Sequence, residues 1–306
     1  MFRLIHSNSG IVLIFKNFYT TNMPLSKNFY LLAIGFIIIS TQQSIAQKEI
    51  LFQVKFKPNK TYVTDMVNNM QMVMDFDVDS AKRKQMEASG TKLPMHMNML
   101  QDMTLSTKTG ALAADKRIPM TITYDKVAIT TTMNGKEMKQ PDKLVGMKIK
   151  GYATEEGKVS IDAIEGNSDV AMKEALQKMI SQIYQSIEFP NKAMKIGDTF
   201  KQEVPMEMPV SGQTLKMLIN VTYTLKEIKA SQAFFDYTQS ISMNIKLEKG
   251  NTTATGSGTG KMIYDIPANY ITDTTGDMIM NMAMQMGEMG MKMDMKMKTS
   301  LKAKVL

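Results

Sequence analysis

The chain has 306 residues, contains no cysteine and carries a formal net charge of +8 at pH 7. Without cysteine there are no disulfides, thiolate metal sites or cysteine nucleophiles, and no acylated cysteine of the kind that anchors exported bacterial lipoproteins. Lysines alternate with acids instead of clustering with aromatic residues, and tryptophan is absent, so the composition predicts no nucleic-acid-binding surface.

Residues 1–46 are an upstream segment that we expect to lie outside the fold. Starting at Met23, a lysine precedes an apolar core at 29–39, and a polar stretch then ends in the small residue Ala46. This order is typical of a secretory signal peptide, with translation starting at Met23 and cleavage after Ala46. Because the apolar core is shorter than the roughly 20 residues of a membrane-spanning helix, no stable membrane span is expected after cleavage. We therefore expect residues 47–306 to form a single periplasmic or secreted β-rich domain that is not lipid-anchored.

The first part of that domain alternates between apolar and polar residues, which is the pattern of antiparallel strands with one buried face. The alternating runs are 51–57, 61–77, 95–108, 117–133, 144–152 and 159–164. Asn134-Gly135 favours a tight hairpin turn, since both residues tolerate positive φ. The run 80–92 does not alternate, and we expect an exposed loop or helical turn there.

One amphipathic helix is predicted in the middle of the chain, at about 168–188. Asn167 and Ser168 are good N-caps, and Pro190 ends the pattern. The apolar residues recur at helical spacing: Met172, Leu176, Met179, Ile180, Ile183 and Ile187. We expect this helix to join two β halves and to pack against the sheet.

Alternating runs resume after the helix, at 199–208, 214–229, 233–247 and 258–266, and end in a long hairpin. The stretches that begin at Phe56 and Met194 share an order of hydrophobe, tight turn, aromatic residue and alternating methionines, which suggests two related β halves. Strands this long must twist and curl. The predicted fold is mainly β (α+β), with a large curved antiparallel sheet or half-barrel and the helix packed into its concave side.

The closing hairpin has methionine at almost every second residue. Because side chains alternate between faces along a strand, the methionines of 291–297 share one face and lysines and an aspartate occupy the other. The methionines of the run 278–286 also fall on every second residue and would share one face. We predict that an apolar or amphiphilic, lipid-like ligand, or a partner, binds the concave face. The predicted ligand-binding residues are Met280, Met282, Met284, Met291, Met293, Met295, Met297, Leu176 and Ile180.

A periplasmic Cu(I)/Ag(I)-binding protein is the alternative, since thioethers bind soft ions and Met-X-Met places two sulfurs on one face. Core packing is the simpler role for these methionines, so no metal site is assigned. His96, between Met95 and Met97, would point to the opposite face. The stretch TGSGTGK at 255–261 lacks the Ser or Thr that follows the lysine of a phosphate-binding loop, so we interpret its glycines as part of a strand. With no nucleophile motif and no paired carboxylates, the sequence predicts no enzyme and no cofactor.

Three stretches of the second half are FPNKAMKIGDTF at 189–200, TYTLKEIKASQAFFDYTQSI at 222–241 and GTGKMIYDI at 258–266. In these stretches the chain resembles a family of uncharacterised exported proteins of Gram-negative bacteria. It implies an exported β-rich fold and brings no catalytic residues. More loosely, the architecture resembles the periplasmic lipoprotein carriers, whose half-barrel and helical lid shelter acyl chains.

Overall fold

The computed structural model describes residues 49–139, 144–154, 157–166, 187–210, 213–247, 250–286 and 289–306. These residues form one twelve-stranded antiparallel sheet and one helix, so the predicted mainly β fold is confirmed. The predicted central helix falls almost entirely in a stretch outside these ranges, as do Leu176 and Ile180. In the part of the chain that is described, no helix is long and apolar enough to cross a membrane.

The secondary-structure elements have these bounds: β1 (Thr61–Asp77), α1 (Ser80–Ala88), β2 (Met95–Thr109), β3 (Ile118–Met133), β4 (Lys136–Lys139), β5 (Lys148–Ala153), β6 (Val159–Glu165), β7 (Thr199–Val210), β8 (Gln213–Lys229), β9 (Gln232–Leu247), β10 (Gly250–Asp265), β11 (Tyr270–Met286) and β12 (Met289–Val305). The long strands run from 12 to 17 residues, as the alternation predicts. Helix α1 occupies part of the non-alternating run, and the Asp79 carboxylate caps it by accepting from the Lys82 backbone N–H at 2.8 Å.

The strand order is β6-β5-β3-β2-β1-β12-β11-β10-β9-β8-β7, with β4 beside β3. Within each half, β1–β6 or β7–β12, strands that follow one another in sequence pair as hairpins, with β4 off the main path. The two halves join through β1 and β12, which come from opposite ends of the described chain. Consequently β6 and β7, which follow each other in sequence, lie at opposite edges of the sheet.

Both halves begin in the same way, at residues 56–62 and 194–200. Each stretch has a buried hydrophobe, then a turn with positive φ, then a buried aromatic ring in the first strand of its half. Asn59 (φ 54°) and Gly197 (φ 95°) occupy the equivalent turn positions. The Asn59 backbone N–H donates to the carbonyl oxygen of Gly110, one residue after β2, and the Gly197 N–H donates to that of Leu225 in β8. The two halves therefore share one local arrangement at their start, and their relation by duplication stays a prediction.

The sheet curls at the end where these two stretches lie. Tyr264 on β10 donates its hydroxyl to the Gln53 carbonyl oxygen at 2.6 Å. The next carbonyl oxygen, that of Val54, occupies the space where a Cβ of Gly157, just before β6, would stand. In a flat sheet β10 and β6 would be about 34 Å apart, because seven spacings of about 4.8 Å separate them. One tyrosine side chain and one peptide unit cannot span that distance, so the sheet curls toward residues 50–57.

Residues 50–57, here called the strap, hold the curled end together. The strap pairs with the start of the second half through two backbone hydrogen bonds between Ile50 and Met194, at 2.9 and 2.8 Å. Phe52 is buried in the hydrophobic cluster formed by β7–β12, and Phe56 in the separate cluster formed by β1–β6. The strap therefore links the cores of the two halves, and the face of the sheet that it covers is the concave, inner face.

Candidate functional site

Cross-strand register arranges the inner-face methionines of β2, β1, β12 and β11 into rows. Since these strands pair antiparallel without a slip in this region, each methionine lies beside another on the neighbouring strand. The rows are Met99, Met70, Met297 and Met278; then Met97, Met72, Met295 and Met280; then Met95, Met74, Met293 and Met282. We call these three rows the methionine grid.

The grid is buried on one side and open on the other. The β11 methionines are between 3% and 6% exposed and belong to the buried cluster of β7–β12. Those of β12 are half-buried and pack against that cluster. The grid methionines of β1 and β2 are also half-buried. Among the described residues, they neither belong to one of the two buried clusters nor pack against one. The accessible part of the grid is therefore on β12, β1 and β2.

The predicted ligand-binding residues fall on both sides of this division. Met291, Met293, Met295 and Met297 are half-buried on β12, whereas Met280, Met282 and Met284 are buried on β11. The grid methionines of β1 and β2 were missed by sequence reasoning. Their alternation is visible in the sequence, but nothing in it pairs β1 with β12.

Charged side chains are absent from the inner face of β1, β2, β11 and β12 throughout their described, paired residues. The charges of these strands lie on the outer face, where Lys298 Nζ is 3.7 Å from an Asp277 carboxylate oxygen and Lys292 Nζ is 3.7 Å from one of Asp77. His96 is exposed on this outer face, opposite Met95 and Met97, as predicted. The described residues of these four strands therefore offer a ligand no ion pair on the inner face.

A row of uncharged polar side chains borders the grid. Asn68 on β1 lies between Gln101 on β2 and Thr299 on β12, directly next to the first methionine row. The Asn68 amide donates to Gln101 Oε1 at 3.1 Å, and the Gln101 amide donates to the Met103 sulfur at 3.2 Å. All three polar residues are half-buried. We call Gln101, Asn68 and Thr299 the polar row.

The polar row continues across β11 and β10 through glycines. Gly276 lies opposite Thr299, and Gly260 lies opposite Gly276. The Tyr237 ring from β9 covers both glycines, so that a Cβ on either would overlap it. The Tyr237 hydroxyl donates to the Thr275 carbonyl oxygen at 3.1 Å. The glycine-rich stretch at 255–261 therefore lies within a strand, as predicted, and its small residues make room for side chains of the neighbouring strand.

A pocket of about 180 Å³ opens on the inner face beside Tyr237. Its described lining is mostly apolar and consists of Ile187, Val204, Ile219, Val221, Tyr223, Tyr237, Gln239, Met262 and Thr274. Burial, with a smaller contribution from Tyr237, raises the pKa of Tyr223 to about 12. Burial also raises the pKa of Tyr237, and the negative charge of Asp277 adds to the effect. Both phenols therefore stay neutral at physiological pH, and the described lining of the pocket carries no charge.

Comparison with known proteins gives a match in structure but none in sequence. No protein-family model matches the chain, and no curated protein matches it. A solved structure of lipovitellin, concerned with its lipid–protein interactions, is similar with a TM-score of 0.48 and 10% sequence identity. The similarity covers 82% of this chain and 26% of the lipovitellin chain, so this chain spans about a quarter of that protein. Membership of the exported bacterial family stays a prediction.

Proposed function

We propose that this chain is an exported, non-enzymatic protein that binds an apolar or amphiphilic, lipid-like ligand on the methionine grid. The observation that carries the proposal is the half-buried grid of β12, β1 and β2 on the concave face. Among the described residues of β1, β2, β11 and β12 it has no charged neighbour on that face, and its methionines on β1 and β2 belong to neither core cluster. From the signal-peptide pattern of residues 23–46 we infer that the chain is exported.

The size of this surface suits a ligand of moderate length. Three strands about 4.8 Å apart and three rows about 6.7 Å apart give a face of roughly 300 Å². Apolar patches of that size on soluble proteins are often functional. At about 25 cal/mol per Å², covering the exposed part would supply several kcal/mol before the cost of association is subtracted. Methionine is flexible and polarizable, so its side chains adapt to ligands of different shape.

Binding of the hydrocarbon probe diphenylhexatriene to the full chain tests the proposal. Met72 and Gln71 are neighbours on β1 that face the grid and the outer surface respectively. Met72→Lys should weaken probe binding about tenfold or more, because it places a charge in the apolar face, whereas Gln71→Lys should leave it unchanged. Since both variants keep the same upstream segment, that segment cannot produce a difference. Equal binding by the two variants would locate the probe elsewhere and refute the proposal.

The register also favours a second candidate, a Cu(I)/Ag(I) site, because methionines on adjacent strands place several thioethers side by side. Replacing Met293, Met295 and Met297 with leucine separates the two candidates. Leucine and methionine have similar volumes, so a hydrocarbon ligand should still bind. Leucine has no sulfur lone pair, so a thioether metal site would be lost. Cu(I) binding by the native chain that disappears in the leucine variant, without probe binding in either protein, would favour the metal function.

A further inference from the structure

We propose that the polar row selects amphiphiles whose polar group is uncharged and forms hydrogen bonds, such as an amide, an ester or an alcohol. The inference rests on the proposed function, because it concerns the polar end of a ligand whose hydrocarbon lies on the methionine grid. It names a ligand class that the grid by itself does not specify.

The position of the polar row determines which part of a ligand it can reach. Asn68 and Thr299 are each two residues from the nearest grid methionine on the same strand, Met70 and Met297. Side chains at this spacing share a face and lie about 6.7 Å apart. A hydrocarbon chain that lies along the grid toward the curled end therefore brings its polar group to the polar row after crossing three methionine rows.

The polar row contains hydrogen-bond donors and acceptors that no described residue engages. Asn68 donates one amide N–H to Gln101, and no hydrogen bond among the described residues engages Asn68 Oδ1 or the Thr299 hydroxyl. An amide side chain has two donor hydrogens and an oxygen that accepts two bonds, and a hydroxyl can both donate and accept. Because these groups are half-buried, a ligand that covers the grid would also remove them from water. Hydrogen bonds from the ligand would then replace those lost to water.

The charge of the inner face argues against an ionised ligand group at this position. No lysine or arginine is available to a carboxylate or phosphate on the inner face of the described parts of β1, β2, β11 and β12. Moving an ionised group from water into such a surface is costly when no opposite charge compensates it. An uncharged amide or alcohol has a much smaller desolvation cost, and the polar row can offset it.

Ligands with the same hydrocarbon chain and different polar groups test the inference. Dodecanamide, dodecanol and dodecanoate would be titrated against full chain loaded with diphenylhexatriene, which has no polar group. We expect the amide and the alcohol to displace the probe at concentrations about tenfold lower than the carboxylate. Thr299→Val removes a hydroxyl with little change in volume and should weaken amide binding several-fold, since a neutral hydrogen bond contributes about a factor of ten or less. Probe affinity should change less than amide affinity does, because the probe has no polar group.

Ser300→Ala, at the next residue but on the outer face, is the matched control and should leave every affinity unchanged. Thermal melting of each variant verifies that it remains folded, and Asn68→Leu provides a second substitution in the polar row. If native protein does not bind the probe, the proposed function fails. If the probe binds but the carboxylate displaces it as well as the amide does, or if Thr299→Val and Asn68→Leu both bind the amide with native affinity, this inference fails and the proposed function stands.

Discussion

The Tyr237 hydroxyl reaches Gly276, two strands away, and fills the place that a side chain at residue 276 would take. It also covers Gly260 on the intervening strand β10. Aromatic rings placed over strand glycines shield the exposed backbone and fix the register of the strands. Through these contacts Tyr237 shields the backbone of both glycines at the border of the methionine grid.

Substitution of the two glycines should have unequal effects. At Gly260 a Cβ would overlap the Thr275 carbonyl oxygen, which belongs to the backbone, as well as the Tyr237 ring. At Gly276 the closest atom is the hydroxyl of Tyr237, at the end of a movable side chain. Urea unfolding should therefore show a loss of about 3 kcal/mol for Gly260→Ala and about 1 kcal/mol for Gly276→Ala. Equal losses would mean that the backbone contact does not determine the cost.

Gly157 offers a test of the strap. It has a φ of +82°, and any side chain there would overlap the Val54 carbonyl oxygen. Gly135 has almost the same φ, +84°, but a Cβ added there would meet nothing within 4 Å. Gly135→Ala should cost about 1 kcal/mol for its backbone conformation, and Gly157→Ala should cost at least about 2 kcal/mol more because the strap must move. Similar unfolding free energies for the two variants would show that the strap does not press on this turn.

Alkaline pH should destabilise the fold through its buried tyrosines. An unfolded tyrosine ionises near pH 10.0, whereas Tyr223 in the fold does so near pH 12. Between these values the unfolded state loses its proton first, so the stability contributed by Tyr223 is complete below pH 10 and decreases as pH rises toward 12. The decrease is at most about 3 kcal/mol, from two pH units.

Comparison of phenylalanine variants would isolate this effect. Tyr223→Phe should flatten the loss of unfolding free energy between pH 10 and pH 12, because the residue can no longer ionise. Tyr152 is the control, since hydrogen bonds with Ser160 and Arg117 lower its pKa instead of raising it. Tyr152→Phe should leave the alkaline loss as steep as in the native chain. A Tyr223→Phe profile identical to the native one would contradict the prediction.

The two sides of the methionine grid should differ in their tolerance of polar groups. Met282 on β11 is 4% exposed, whereas Met72 on β1 is half-buried. Met282→Gln should cost about 2 to 3 kcal/mol, because its amide would be buried among thioethers with few partners. Met72→Gln should cost less than about 1 kcal/mol, since its amide can reach water. Guanidinium unfolding of both variants measures the difference, and equal costs would mean that the grid is buried uniformly.

The strands and the inward direction of the methionines could be predicted from sequence, because alternation within one strand is a local property. The runs containing Met70, Met97 and Met295 each show which face is apolar. Their assembly into one grid could not be predicted, since it depends on pairing between β1 and β12. The polar row could not be predicted from the sequence for the same reason. Asn68, Gln101 and Thr299 are scattered in sequence and become neighbours only through register.

The central position of the β1–β12 pair also has a consequence for folding. Tyr62 and Val305 are direct neighbours in the sheet although they come from opposite ends of the described chain. Contacts between distant parts of a sequence form late because the intervening chain must first be ordered. During synthesis, the edge of β1 that receives β12 has no native partner until residues 289–305 have been made. For that period β1 presents an open strand edge, a template for pairing with other chains.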